Sequence, residues 1–334
     1  MKRITNILHP EGYQGEGRRA PYFEGWYFKI VDADETHVYA IIPGISLSEG
    51  GEGPHAFVQV LNGRTGETAY HTYPLAQVEI ASDRLDVRIG PNHFTAYGMD
   101  LDLPDAPLTL KGLVTFDDLM PWPVTFLSPG IMGWYAWVPW MECYHGVLSL
   151  DHGLTGSLQT REGEIDLNGG RGYIEKDWGP SFPDGWVWIQ SNHFDETGVS
   201  LTGSIATIPW GIPTTPLQTT FRGFIVGLLL RGTLIRFATY TGAVTERLTL
   251  REDQVVWVIR DRVYRLTIRG HRAHTGKLRG PSKADMGRPV LETLQGEVDV
   301  HLTTLKPERT IFQGTGRHAG IEVGGDSKTL ESLV

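Results

Sequence analysis

Short runs of alternating apolar and polar residues, separated by turn-forming residues, fill most of this chain. They run from HVYAIIPGI, which begins at His37, to EVDVHLTTL, which begins at Glu297. A period of two places successive side chains on opposite faces of a strand, one face on a core and the other in water. The breaks, among them NGRTGE and GPN, and the 41 glycines and 20 prolines favour tight turns. Because no segment has a sustained 3.6-residue period with caps, we predict an all-β chain with few short helices.

The length of 334 residues exceeds that of a typical single domain and favours two compact units, with a single large β domain as the alternative. Strand patterns continue through both halves, and the units are expected to join near residues 175–185. We therefore predict an N-terminal β domain over residues 1–180, a C-terminal β domain over residues 181–324 and a frayed tail over residues 325–334. Each sheet must close or be covered to protect its edges.

Charge and cysteine content exclude several classes of function. The net charge of -9 leaves no broad basic surface, so nucleic acid and anionic membranes are not expected partners. Cys143 is the only cysteine, which excludes an intrachain disulfide or a CxxC motif and fits a reducing compartment. The amino terminus has no apolar run typical of a secretory signal. These observations predict a cytoplasmic protein, and no feature indicates a protein partner.

Sequence signals for metals and cofactors are weak. His271 and His274 are three residues apart in a basic loop and lack a third ligand nearby. No glycine-rich loop leads from a strand into a helix, so dinucleotide and phosphate fingerprints are absent. The adjacent Cys143, Tyr144 and His145 do not favour nucleophilic catalysis, because neighbours in a strand point to opposite faces. We expect chemistry without a metal or a cofactor.

Two long segments, Leu119–Met141 and Thr197–Phe221, contain no charged residue. The first is about as long as a membrane span, but its prolines remove backbone donors that lipid could not replace, so we reject a transmembrane helix. Such segments either pack against the ends of a barrel or against each other, or they frame the mouth of a lipid-sized pocket or rest on a membrane surface. Peripheral membrane contact is therefore an open alternative.

The segment from Tyr173 to His193 is the candidate functional centre. In GRGYIEKDWG, a strand places Tyr173, Glu175 and Asp177 on one face, with the two carboxyls roughly 6–7 Å apart. If that face is inward, burial and mutual repulsion raise the pKa of at least one carboxyl, which makes it suitable as a general acid. The alternative is a pair of solvated surface acids, one of them bridged to Lys176.

The next strand adds aromatic residues to this centre. Trp186, Trp188 and Gln190 alternate on one face, and His193 lies close behind. These residues form either an aromatic core with satisfied polar ends or a surface that stabilises a carbocation, since an indole face attracts positive charge.

A third cluster lies near the amino terminus, in PYFEGWYFK at residues 21–29. Tyr22, Glu24, Trp26 and Phe28 share one face if the strand is regular, although Gly25 can break that regularity. The alternative is a half-buried first strand that caps a barrel.

Three motifs resemble the tocopherol cyclase family, in the same order along the chain: PYFEGWYFK at 21–29, GYIEKDWGPSFPDGWVWIQSNHF at 172–194 and HAGIEVGG at 318–325. The chain is also broadly similar to carotenoid 1,2-hydratases and other double-lipocalin-like proteins. The resemblance implies two lipocalin-like or calycin-like antiparallel β-barrels packed together. It also implies cofactor-free, acid-catalysed cyclisation of a prenylated (phytyl) benzoquinol to a chromanol.

On this resemblance, Asp177 or Glu175 protonates the prenyl alkene, and the other carboxylate, His193 or Tyr173 receives the phenolic proton. The residues expected to contact the substrate are Trp178, Trp186, Trp188, Gln190, Glu24 and Trp26. Two other functions stay open, a hydratase of an isoprenoid or carotenoid alkene and a lipocalin-like carrier that binds an isoprenoid lipid without changing it. In each case the partner is an apolar prenyl-quinol or isoprenoid small molecule.

Overall fold

The structure, a computed structural model, describes residues 2–104, 107–211 and 219–333. Within these residues the chain forms strands throughout, with two short α-helices, α1 (Lys2–Leu8) and α2 (Ser327–Ser332). Short 3₁₀ helices cover Leu75–Gln77, Gly133–Trp137 and Thr239–Thr241. Paired strands run antiparallel in both sheets. The predicted all-β chain with few short helices is confirmed.

Contacts divide the chain into two units, of which the first comprises residues 1–182 and 276–290. Its strands are β1 (Phe23–Val31), β2 (Val38–Ser46), β3 (His55–Asn62), β4 (Thr68–Tyr73), β5 (Val78–Ile80), β6 (Asp86–Ile89), β7 (Asn92–Thr95), β8 (Gly98–Leu103), β9 (Leu110–Asp117), β10 (Tyr144–Gln159), β11 (Glu164–Asp166) and β12 (Arg171–Gly179). They form one sheet in the order β4-β3-β2-β1-β12-β10-β9-β8-β7-β6-β5, with β11 beside β10.

The pairing of β1 with β12 brings distant parts of the sequence together in the middle of this sheet. The first motif, PYFEGWYFK, thereby lies beside the second, with Glu24 opposite Trp178 and Trp26 opposite Lys176. The apolar face of β1 is anchored by Phe28, which is fully buried and packs against other aromatic rings at 5.6 and 6.0 Å. Burial of such rings stabilises the sheet around the motif.

The second unit comprises residues 183–275 and 291–334. The strands of the second sheet are β13 (Gly185–Ser191), β14 (Ser200–Trp210), β15 (Thr219–Leu230), β16 (Thr233–Ala238), β17 (Val244–Leu250), β18 (Gln254–Arg260), β19 (Tyr264–His271), β20 (Gly276–Gly280), β21 (Arg288–Leu305) and β22 (Glu308–Gly325). The order of the second sheet is β16-β15-β14-β13-β22-β21-β19-β18-β17. Its core includes Trp257, whose ring meets Phe224 edge to face at 5.8 Å.

The observed units differ from the predicted partition in two places. Residues 276–290, predicted in the C-terminal domain, belong to the first unit. Within the tail predicted to be frayed, residues 327–332 instead form α2. The Asp326 side chain accepts a hydrogen bond from the backbone N–H of Thr329 at the start of this helix, and Leu330 is fully buried. A cap and a buried anchor therefore order the chain end.

The two uncharged segments have different structures. Leu119–Met141 is irregular apart from one 3₁₀ helix, whereas residues 200–210 of Thr197–Phe221 form β14. The rest of the second segment includes residues 212–218, which lie outside the described residues. Among the described residues, no helix is long and apolar enough to cross a membrane.

Candidate active site

Neighbouring strands in the middle of the first sheet carry the polar residues of the candidate site. Residues directly opposite each other in an antiparallel pair share a face of the sheet. The register of β10 and β12 sets His145 opposite Asp177. Because side chains alternate along β12, Tyr173 and Glu175 share that face, and Lys176 lies on the other. The predicted common face of the three residues is confirmed.

The side chains on this face form a connected group, which we term the acid cluster: Tyr173, Glu175, Asp177 and His145. Nδ1 of His145 lies 2.8 Å from Oδ1 of Asp177, and Nε2 lies 3.6 Å from Oε2 of Glu175. The Tyr173 hydroxyl donates a hydrogen bond to Oε2 of Glu175 at 2.5 Å. The imidazole therefore bridges two carboxyls that the strand spacing alone would leave separate.

Burial distinguishes the two acids. The side chain of Glu175 is 5% exposed and that of Asp177 is 28% exposed, with His145 at 12% between them. Glu175 is thus not a solvated surface acid, and neither acid is bridged to Lys176 as the alternative supposed. Within the part of the chain that the structure describes, Nε2 of His145 has no hydrogen-bond partner. One ring nitrogen of His145 is therefore hydrogen-bonded to Asp177, and the other lies 3.6 Å from Glu175.

The electrostatics of the cluster favour a charged imidazole. Burial lowers the pKa of His145, but the carboxylates of Asp177 and Glu175 and the hydrogen bond to Asp177 outweigh burial and raise the pKa to about 9. Cys143 also approaches this face, with Sγ 3.7 Å from Oδ1 of Asp177. Burial and the adjacent carboxylate raise the pKa of its thiol, which disfavours a nucleophilic thiolate.

The opposite face of the same strands holds a buried ion pair. Nζ of Lys176 lies 2.6 Å from Oε1 of Glu24, and both side chains are fully buried. The ammonium group also lies 4.7 Å from the centre of the Trp26 ring and 4.8 Å from that of Trp178. Burial lowers the pKa of Lys176, an effect that Glu24 partly offsets. Cation-π contacts and the carboxylate together compensate the desolvated charge.

The amino-terminal segment completes the surroundings of this ion pair. The backbone N–H of Gln14 donates to both carboxylate oxygens of Glu24, at 2.9 and 3.1 Å. The Tyr22 hydroxyl donates to the same carboxylate at 2.5 Å, and Lys176 donates to the carbonyl of Pro10 at 3.0 Å. Glu24, Trp26 and Trp178, which are predicted to contact the substrate, surround the ammonium group of Lys176.

A cavity of about 590 Å³ borders both features. Its walls come from the amino-terminal segment, the first uncharged segment and the ends of β10 and β12. They are Asn6, Ile7, Pro10, Gln14, Glu16, Gly17, Arg18, Pro129, Met132, Ala136, Pro139, Tyr144, His145 and Trp178. The first uncharged segment thus lines a pocket of the size used for small-molecule ligands. Of the four residues of the acid cluster, His145 is the one among the described lining residues.

The aromatic residues of β13 belong to the second unit. Nε1 of Trp186 donates to Oε2 of Glu322 on β22 at 2.8 Å. Gly324 and Gly320 lie against the rings of Trp186 and Trp188, where an added Cβ would come within 2.2 and 2.5 Å of ring atoms. The glycines of the third motif therefore make room for the tryptophans of the second.

Gln190 and His193 also lie in the second unit. Gln190 is fully buried, and neither its amide nitrogen nor its amide oxygen has a hydrogen-bond partner among the described residues. Nδ1 of His193 lies 3.0 Å from Oδ1 of Asn192, and its ring packs against His318. The histidine beside the two acids in the first unit is His145, and the role of His193 as a proton acceptor stays a prediction.

His145 was set aside together with Cys143 and Tyr144, because neighbours in a strand point to opposite faces. Cys143 and His145 are two apart and approach the same carboxylate of Asp177. The signal was a histidine in YHGVLSL, a strand predicted to precede GRGYIEKDW. Only the pairing of β10 with β12 sets that histidine opposite Asp177.

The acid cluster is also where a divalent metal ion could bind. His145, Glu175 and Asp177 each offer a ligand atom, and these atoms lie within 4.8 Å of one another. An imidazole and two carboxylates suit several divalent metals. Binding through His145 requires a neutral ring, so a metal ion would have to displace the proton that the carboxylates retain.

A family model described as tocopherol cyclase-like matches residues 116–325. Tocopherol cyclase, chloroplastic, of Zea mays is 27% identical over 206 residues, which are 58% of this chain and 41% of that protein. Probable tocopherol cyclase, chloroplastic, of Oryza sativa subsp. japonica is 23% identical over 291 residues, 70% of this chain and 59% of that protein. The chain spans less than two thirds of the length of either relative.

Among solved structures, a putative AttH from Nitrosomonas europaea is similar over 95% of both chains, with a TM-score of 0.56 and 14% sequence identity. This likeness extends to the fold and agrees with the lipocalin-like, two-unit β architecture predicted from the sequence. The matched residues 116–325 include His145, Glu175 and Asp177 but not Glu24.

Proposed function

Because this chain belongs to the tocopherol cyclase-like family, we propose that it is an enzyme that cyclises a prenylated benzoquinol to a chromanol by acid catalysis. The observation that carries the proposal is the acid cluster, whose His145 borders the cavity. Addition of a phenol to an alkene needs a proton donor and a proton acceptor at one place. The acid cluster supplies both.

We assign proton donation to Glu175. Its side chain is much less exposed than that of Asp177, at 5% against 28%. Its Oε2 accepts a hydrogen bond from Tyr173 and lies 3.6 Å from Nε2 of His145. Exclusion of water matters at the donor, since captured water would convert a cation to an alcohol.

His145 and Asp177 act on Glu175 through orientation and charge. Asp177 fixes Nδ1 of His145, which turns Nε2 toward Glu175, much as a buried carboxylate orients the imidazole of a catalytic triad. The imidazolium lies beside the carboxylate that remains after Glu175 gives up its proton, and it stabilises that carboxylate. Stabilisation of charge that develops in the transition state lowers the barrier to protonation of the alkene.

The proposed reaction balances in atoms and protons. In the proposed reacting complex Glu175 is protonated and Asp177 alone supports the charge on His145. Glu175 transfers its proton to the less substituted carbon of the prenyl double bond, which leaves a tertiary carbocation and a carboxylate. The neighbouring phenol oxygen then forms a C–O bond with the cationic carbon, and its proton passes to Glu175. The product is an isomer of the substrate, and the acid cluster returns to its starting protonation state.

The cavity beside His145 suits the apolar chain of such a substrate. Its volume of about 590 Å³ lies within the usual range for ligand pockets. Pro129, Met132 and Pro139 contribute uncharged walls, and each buried methylene of a ligand is worth about 0.8 kcal/mol before ordering costs.

The direct test is conversion of a phytyl benzoquinol to chromanol by the purified protein. Glu175→Gln should lower kcat by at least about 100-fold, the lower range for loss of general acid catalysis. Glu79→Gln, which changes an exposed carboxyl on β5 of the same unit, is the matched control and should retain activity. Full activity of Glu175→Gln would contradict the assignment.

Product analysis in water labelled with oxygen-18 separates the other functions. Cyclisation retains the phenol oxygen and incorporates no label, whereas hydration of an isoprenoid alkene gives a labelled alcohol. A carrier would return the lipid chemically unchanged. Either of the last two results would replace cyclisation as the function.

A further inference from the structure

Exposed apolar side chains are concentrated in the first uncharged segment, Leu119–Met141. Among the described residues, six of the thirteen large apolar side chains that are exposed belong to this segment, and Leu127 is 82% exposed. The six are Met120, Val124, Phe126, Leu127, Trp134 and Trp140. Isolated exposed apolar residues are ordinary, but a concentration of this kind marks an interaction surface.

The charges around the segment indicate which surface it fits. The segment itself carries no charge, and the charged residues that flank it in sequence, Asp118 and Glu142, are both acidic; Glu142 is paired with Lys283 at 2.9 Å. An anionic membrane binds through lysine and arginine, which this segment lacks. Exposed tryptophans such as Trp134 and Trp140 favour the boundary between lipid headgroups and acyl chains.

The backbone of the segment is also suited to a medium poor in water. The prolines in it have no N–H to satisfy. Local hydrogen bonds occupy other polar groups: Nε1 of Trp137 donates to the carbonyl of Phe126 at 3.1 Å, and the N–H groups of Thr125 and Ser128 donate to each other's carbonyls. Polar groups that are satisfied within the segment do not lose water bonds when lipid covers them.

The same segment reaches the cavity from its other side. Pro129, Met132, Ala136 and Pro139 line the cavity. Phe126 and Leu127, which precede Pro129 in the same segment, are 61% and 82% exposed. An apolar molecule dissolved in lipid would therefore meet the segment that walls the pocket.

We propose that Leu119–Met141 is a docking surface for an uncharged, zwitterionic phospholipid surface, through which an apolar substrate enters the cavity. The entry route rests on the proposed function, but docking itself is measured without turnover. The partner is a lipid surface of no net charge, and binding is driven by burial of the exposed apolar side chains.

Flotation with phosphatidylcholine vesicles tests the proposal. The double variant Phe126→Gln/Leu127→Gln should weaken partition onto vesicles by at least about tenfold, because it removes two exposed side chains that lipid would bury. The matched control is Tyr97→Gln/Leu113→Gln, which changes exposed apolar residues of the same unit and should bind within about twofold of the parent. Thermal unfolding midpoints check that both variants are folded.

A second measurement reports the depth of contact. Brominated phosphatidylcholine should quench part of the tryptophan fluorescence, and Trp134→Phe/Trp140→Phe should remove the quenched fraction. Three results would each overturn the proposal. The parent could fail to bind phosphatidylcholine, its binding could require anionic lipid and disappear with salt, or the Phe126→Gln/Leu127→Gln variant could bind as well as the parent. Self-association of the chain through this segment in place of lipid binding would also overturn it.

The outcomes for docking and for catalysis are separable. Phe126 and Leu127 do not line the cavity, so their variant should convert substrate dispersed in detergent at the parent rate. If this variant loses vesicle binding and retains turnover, the result supports docking. If the parent binds vesicles but converts no quinol, only the proposed function is contradicted.

Discussion

Asp177→Asn should lower the pKa of His145, because Asp177 supplies the nearest negative charge. His145 is largely buried, and burial alone would favour the neutral ring. Asp177 at 2.8 Å and Glu175 at 3.6 Å reverse that preference and raise the pKa to about 9. Loss of one opposite charge at this distance should lower the pKa by about 1–3 units. The amide oxygen of asparagine can still accept from Nδ1, so the ring orientation is retained.

The same change has a consequence for stability. The folded pKa of His145 lies above the ordinary value of 6.5, so its imidazolium stabilises the folded state fully below about pH 6.5. This contribution is lost as the pH rises through about 9. The difference corresponds to about 3 kcal/mol of unfolding free energy. Asp177→Asn should therefore reduce the amount of unfolding free energy that is lost as the pH rises.

Nuclear magnetic resonance of histidine labelled with carbon-13 measures the titration, and the missing signal in His145→Gln assigns it. Urea unfolding at neutral and alkaline pH measures the linked free energy. Asp86→Asn is the control, since Asp86 pairs with His93 at 3.0 Å elsewhere in the unit and should leave His145 unchanged. A parent pKa near 6.5 or below, or an unchanged pKa in Asp177→Asn, would refute this electrostatic reasoning.

Three further predictions concern stability and substrate binding. Lys176→Met leaves the buried Glu24 carboxylate without its counter-ion and should lower the free energy of unfolding by about 3–5 kcal/mol. In urea unfolding, the double variant Lys176→Met/Glu24→Gln should recover part of the lost free energy. An equal loss of free energy in the single and double variants would contradict the ion-pair account. Burial lowers the pKa of His152 to about 3, so stability should fall as the pH drops below about 6.5. His152→Gln should flatten that fall, and an unchanged slope would assign it to other groups. Ala136→Trp fills part of the cavity and should raise KM more than it lowers kcat, whereas an unchanged KM would exclude the cavity as the substrate pocket.

The common face of Tyr173, Glu175 and Asp177 could be predicted because it depends on the local period of a strand. The all-β architecture could be predicted for the same reason, from many short alternating runs and their turns. These features need no knowledge of which strands are neighbours. The roles assigned to the acids stay predictions until their variants are measured.

The partners of these residues depend on long-range register and could not be read from local spacing. His145 reaches Asp177 only because β10 pairs with β12, and Glu24 reaches Lys176 only because β1 pairs with β12. Trp26 and Trp178 surround a lysine, a contact that local spacing did not reveal. A one-residue shift of either pairing would move these side chains to opposite faces.

The most direct test of the acid-catalysed cyclisation is turnover of a phytyl benzoquinol in deuterium oxide, followed by mass spectrometry of the chromanol. Proton delivery from Glu175 predicts a single non-exchangeable deuterium on the former alkene carbon that adjoins the carbon bonded to the ring oxygen. It also predicts that Glu175→Gln lowers the amount of product by at least about 100-fold. A chromanol without that deuterium, or equal product from Glu175→Gln, would contradict the account.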